Sequence, residues 1–188
     1  MKSCIMRDAG ATFDELVEFN ETYKTRVKHF LSVGDLDNLV KSGRLSHTSA
    51  IVGKILSVEP IMTMKSGRGA IVGKVRGHKK VLNYYVNEFK KRVDTEMTDF
   101  VIIGYTSDLS YAKALQHLFL EETGFDGDIY IIQMGATVGT HVGLGGVSMF
   151  FIEKPKTHSN IYMDKFSEMK TAVTAKVKEQ IHHHKKQQ

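Results

Sequence analysis

At 188 residues, with 41% hydrophobic and 25% charged residues, the chain has the length and balance of one well-buried globular domain. No apolar run reaches the length of a spanning helix, and the N-terminus lacks the basic-then-apolar pattern of a secretory leader. A single cysteine, Cys4, excludes an internal disulfide framework and suits a reducing compartment, so a cytoplasmic location is expected. The net charge of +5 belongs to the end of the chain. Residues 154–188 hold eight lysines against three carboxylates, whereas residues 1–153 balance 18 basic against 18 acidic side chains. The globular part therefore has no electrostatic bias toward nucleic acid, and no nucleic-acid partner is expected.

In chain order, the first predicted element is a helix from about Phe13 to Lys28. Thr12-Phe-Asp-Glu15 has the form of a capping box, and Leu16, Phe19, Tyr23 and Val27 recur at helical spacing. A short strand over His29–Val33 follows, then a helix capped by Asp35, reaching Lys41 and stopped at Gly43. Ser46 is placed to cap a further helix over Thr48–Leu56. Val58–Met64 and Ala70–Val75 read as paired strands about the turn Lys65–Gly69. Helices are predicted over Lys79–Val93 and Leu109–Glu122, the second started by Ser107 or Asp108 and ended by Gly124. Compact apolar strands are predicted over Phe100–Tyr105, Ile129–Met134 and Val147–Ile152. This alternation indicates an α/β or α+β fold with a single sheet flanked by helices. Two parts are expected: a domain over 1–153 and, beyond Pro155, a basic amphipathic helical tail over 154–188. In the tail, Tyr162, Phe166, Met169, Val173 and Val177 share one stripe. Three readings of that tail stand open: docking back on the domain, transient contact with an anionic membrane surface, or pairing with a partner helix.

The most informative stretch is residues 135–146, with five glycines in twelve positions and one histidine, His141. Between two strands, such glycine density reads as a tight turn. The same density allows close approach of backbone amides to a carboxylate or phosphate beside the imidazole. The dinucleotide-binding pattern is absent, since no helix pattern follows the run. Gly67–Lys74 has the flavour of a phosphate loop but lacks its first glycine and its terminal serine or threonine, and a hairpin explains it better. No nucleophile or carboxylate partner accompanies His141 at a recognisable spacing, so no catalytic residues, cofactor or metal are expected; His182–His184 read as adventitious.

Gly139-Thr-His-Val-Gly143, with glycines continuing at 145 and 146, resembles the signature near the C-terminus of DegV-family fatty-acid-binding proteins, which usually carry proline at the position of Leu144. Asp35–Ser46, Val52–Ile61 and Lys74–Lys80 resemble three further segments of that family, in the same order. The resemblance implies a mixed sheet and a non-enzymatic module that binds long-chain fatty acid. Gly139, Thr140, His141, Val142 and Gly143 would face the acyl carboxyl. It further implies a carrier that presents the acyl chain to a fatty acid kinase, with Arg44 and Arg76 as docking residues suited by their bidentate geometry. It also implies a truncated domain: the family's N-terminal half, which supplies a Ser/Thr-rich carboxylate motif, would have to come as a separate DegV-like domain. The alternative is an interaction or regulatory module that keeps only the fold and binds no ligand.

Overall fold

The computed structural model describes residues 1–33, 36–45, 58–65 and 68–155. The expected cap at Asp35, the expected helix over 48–56, the turn at 66–67 and the tail helix lie outside the described residues. Residues Val27–Glu153 form one compact unit, and Met1–Arg26 are part of another.

In the N-terminal unit, helix α1 (Lys2–Asp8) precedes α2 (Phe13–Tyr23). The capping box is present in both halves: the Glu15 amide donates to Thr12 Oγ1, and Glu15 Oε2 accepts from the Thr12 amide at 2.7 Å. Helix α1 was not expected. The end of α2 was placed too late, because Val27 continues the helical spacing yet pairs with Ile152 in the sheet. A tertiary partner outweighs a single periodic apolar residue.

The larger unit is one six-stranded mixed sheet: β1 (Val27–Ser32), β2 (Glu59–Lys65), β3 (Arg68–Val75), β4 (Phe100–Tyr105), β5 (Asp128–Gln133) and β6 (Val147–Ile152). Their order across the sheet is β3-β2-β1-β6-β4-β5. Only β4 and β5 run parallel, as their connection through a helix requires. Helix α3 (Asp37–Lys41) follows β1, α4 (His78–Arg92) follows β3, α5 (Leu109–Thr123) joins β4 to β5, and α6 (Ala136–Val142) joins β5 to β6. The α/β class with one flanked sheet is as expected.

The two faces of the sheet differ. On one, α4 and α5 bury Val81, Tyr85, Phe89, Leu115 and Phe119 against Phe30, Val101, Ile103, Met149 and Phe151, which alternate along their strands. Tyr85 is fully enclosed there, its hydroxyl donating to the Val147 carbonyl at 2.9 Å, and burial pushes its phenol well above the usual value. The opposite face carries a smaller cluster in which Leu36 and Leu39 from α3 and its start, and Val142 from α6, meet Val33, Leu45 and Met62. It is this second face that forms the candidate site.

Candidate functional site

The glycine run does not form the expected turn. Residues 136–142 are the helix α6, with Gly135 as an extended N-cap. The helix closes at Gly143, where φ is +76°, a left-handed value that favours glycine. Low helix propensity argued for a turn, but burial of Val142 against the sheet face organises the segment as a helix. The consequence for the backbone donors is direct. The Gly139 amide donates to the Gly135 carbonyl at 2.9 Å and the Gly143 amide to the Gly139 carbonyl at 2.8 Å. Gly145 and Gly146 donate to Ser107 Oγ and Thr106 Oγ1 at 3.0 and 2.9 Å, pinning the loop to the end of β4. The expected cradle of free amides at Gly139 and Gly143 is therefore replaced by a helix that presents side chains.

Those side chains reach a cavity of about 470 Å³, within the usual range for small-molecule sites. Val138, His141 and Val142 of α6 form one wall. Leu39, Gly43 and Arg44 at the end of α3 form another, and His29, Leu31, Met62, Thr63 and Met64 make the floor. Thr140 is exposed on the far side, its hydroxyl donating to the Ala136 carbonyl at 2.8 Å, and is not on the wall. Arg44 reaches the cavity because Gly43, at φ +70°, turns the chain at the end of α3. The Arg44 and Leu45 amides then close on the Leu39 carbonyl at 2.8 and 3.1 Å. Its guanidinium donates one hydrogen bond, to the Ser42 carbonyl at 2.6 Å, leaving further donors of the fork. Arg76, by contrast, is exposed in the turn before α4 and lines no part of this cavity. The two arginines paired by sequence thus have different surroundings.

Glycine also fixes how closely the wall sits on the sheet. A Cβ on Gly146 would stand 2.3 Å from Val142 Cγ1, and one on Gly143 would stand 3.0 Å from Asn38 Nδ2 of α3. Gly146→Ala is expected to lift α6 and lower stability by ~1–3 kcal/mol, the range for overpacking, as a lower urea midpoint at unchanged slope.

His29 was not foreseen as a site residue. The signal available was alternation: Phe30 and Ser32 are buried under α4 and α5, so His29 and Leu31 must face the other side. Its ring stacks on Phe150, with centroids 5.4 Å apart. Burial, then the neighbouring Lys28 charge, hold its imidazole below the ordinary value of 6.5. As pH falls below that ordinary value the unfolded chain takes up the proton first. Stability is therefore full above about 6.5 and declines toward the lower folded value. Urea midpoints at pH 7.5 and pH 5 are expected to differ less in His29→Leu than in the parent chain.

Largely apolar walls with Arg44 and His141 among their residues, and no carboxylate among the described lining residues, suit an amphipathic molecule with an anionic head. The fold and cavity together define an α/β domain with a largely apolar pocket, lined in part by Arg44 and His141, on one face of its sheet. The chain belongs to the DegV family: the family model described as "Uncharacterised protein, DegV family" matches residues 1–154. The DegV domain-containing protein CA_C0701 of Clostridium acetobutylicum is 33% identical over 156 residues, which are 82% of this chain and 54% of that protein. Among solved structures, the fatty acid binding DegV family protein SAG1342 of Streptococcus agalactiae superposes with a TM-score of 0.70 at 29% identity, covering 82% of this chain and 54% of that one. A DegV family protein from Eubacterium eligens loaded with heptadecanoic acid gives a TM-score of 0.73 at 22% identity, covering 81% and 55%. The Streptococcus pneumoniae Fatty Acid Kinase (Fak) B3 protein loaded with linoleic acid gives 0.71 at 24%, covering 81% and 54%. The chain spans about half the length of the relatives it matches.

Proposed function

We propose that this chain is one half of a fatty-acid-binding site of the DegV type, non-enzymatic and cytoplasmic, and that it holds the acyl chain on the sheet face that carries the cavity. The observation that carries this reading is the convergence of Arg44 and His141 on one apolar cavity. A carboxylate accepts charge-assisted hydrogen bonds from a guanidinium and an imidazole, and Val138, Val142, Met62 and Leu31 suit the hydrocarbon beyond it. The heptadecanoate- and linoleate-loaded relatives support the same ligand class. Among the described residues no helix is long and apolar enough to cross a membrane.

The site is incomplete in this chain. Val27, Met64, Tyr130, Ile132 and Val138 remain 39–51% exposed, a run of large apolar side chains. A second DegV-like domain covering this face would supply the missing head-group donors and enclose the acyl chain. Each missing charged hydrogen bond lowers affinity by about 1.5–3 kcal/mol, and each uncovered methylene by about 0.8 kcal/mol. Weak binding by the chain alone follows. Arg76, and Arg44 at the cavity mouth, then serve a kinase that receives the acyl carboxyl. Native mass spectrometry of the chain with and without the N-terminal half of a DegV relative tests the idea. Fatty acid retained only on the pair supports it, and stoichiometric lipid on the isolated monomer contradicts the half-site. The exposed apolar face equally suits a ligand-free interaction module. No thermal shift with any long-chain acid, alone or on the pair, would favour that second reading.

A further inference from the structure

The sheet face under the cavity carries a row fixed by strand register. His29 of β1 stands opposite Phe150 of β6, Phe150 opposite Ile102 of β4, and Ile102 opposite Tyr130 of β5. Of this row only His29 lines the cavity, an imidazole set beside the apolar Phe150 and Ile102. Its ring nitrogens find no hydrogen-bond partner among the described residues. The nearest hydroxyl is committed elsewhere, since Thr63 Oγ1 donates to the His29 backbone carbonyl at 2.7 Å. One row along, Ser148, opposite Leu31, is buried with its Oγ also unpartnered, close to Gly104 and Met134.

Burial favours the neutral ring, and a neutral imidazole offers one donor and one acceptor. An unsubstituted methylene chain laid over it would strip water from both nitrogens and return no hydrogen bond. A chain bearing an oxygen at that depth would satisfy one of them. We propose that His29 is a specificity-determining residue of this cavity and selects acyl chains that carry a hydroxyl or keto oxygen along their length over unsubstituted ones. The proposal rests on the acyl-binding reading above and names a narrower ligand class within it.

Competition against a fluorescent acyl probe, using the full chain together with the N-terminal half of a DegV relative, compares octadecanoic acid with a positional series of monohydroxyoctadecanoic acids. At least one isomer is expected to bind ~5–10-fold tighter than octadecanoic acid, the size of one net hydrogen bond. His29→Leu should erase that preference while leaving octadecanoic acid bound at least as well, and His29→Gln should keep part of it. The His29 ring nitrogen resonances should shift differently with the preferred isomer, which returns a hydrogen bond, than with octadecanoic acid, which only removes water. Equal affinity across the series, or a preference retained in His29→Leu, overturns the role given to His29 while the acyl site stands. Failure of octadecanoic acid and of every isomer to bind the pair overturns both readings together.

Discussion

His141→Ala is expected to weaken long-chain fatty acid binding by about 10- to 100-fold while leaving the thermal midpoint nearly unchanged. The magnitude is that of one hydrogen bond to a charged group, ~1.5–3 kcal/mol. The separation of binding from stability follows from where the side chain sits. Val142, its neighbour on α6, is 2% exposed and anchors the helix to the sheet, whereas His141 is only partly buried and faces the cavity. Removing the imidazole therefore takes a head-group donor and little packing. Displacement of a fluorescent acyl probe, paired with a thermal melt of the same variant, reads both quantities. Equal losses in the two would reassign His141 to the packing of α6, and unchanged affinity would move the head group elsewhere. Arg44→Ala should behave alike in binding. Arg76→Ala should leave acyl affinity untouched, because Arg76 is not on the cavity wall.

Phe119→Ala should produce the largest loss of stability, ~3–5 kcal/mol, which is a large share of the total for a domain of this size. The ring is fully buried at the centre of an aromatic cluster, 4.6 Å from Phe89 and 5.5 Å from Phe125 between centroids, both edge-to-face. No neighbour can collapse into the space without breaking another such contact, so the cavity term adds to the transfer term. Urea unfolding monitored by circular dichroism measures the loss. A cost below about 1 kcal/mol would mean that α5 repacks freely on the sheet. Phe119 packs on the face of the sheet away from the cavity and does not line it, so the acyl affinity of the folded fraction should persist.

The family and much of the fold were readable from short-range features. Helix α5 follows from Asp108, which accepts the Ser110 amide at 2.8 Å, and from Gly124, left-handed at the other end. Strands β4 and β6 follow from compact apolar runs whose alternate residues enter the core. These signals are local: a cap, a stop and a period act within a few residues of one another. The glycine run misled for the opposite reason. Whether residues 136–142 turn or wind depends on Val142 finding the second hydrophobic cluster and on Gly146 letting α6 lie close, and neither partner is adjacent in sequence.

The same division runs through the site. His141 stands out because the glycines around it mark special backbone, and a resemblance across ordered segments attached it to the acyl carboxyl and Arg44 to docking of a kinase. Their union in one cavity, and the exclusion of Arg76 and Thr140 from it, depends on α3 and α6 meeting over β1 and β2, segments far apart in the chain. His29 was invisible as a site residue because a strand's alternation tells which residues share a face, while only the assembled sheet tells which face stays open. Sequence by itself determined the family and the elements marked by a cap, a stop or a clear period, because each of these is written in neighbouring residues. Tertiary structure alone decided that the Gly139 and Gly143 amides are spent within a helix and that side chains of α6 line the cavity, because a backbone hydrogen bond has one donor and the fold had already assigned it.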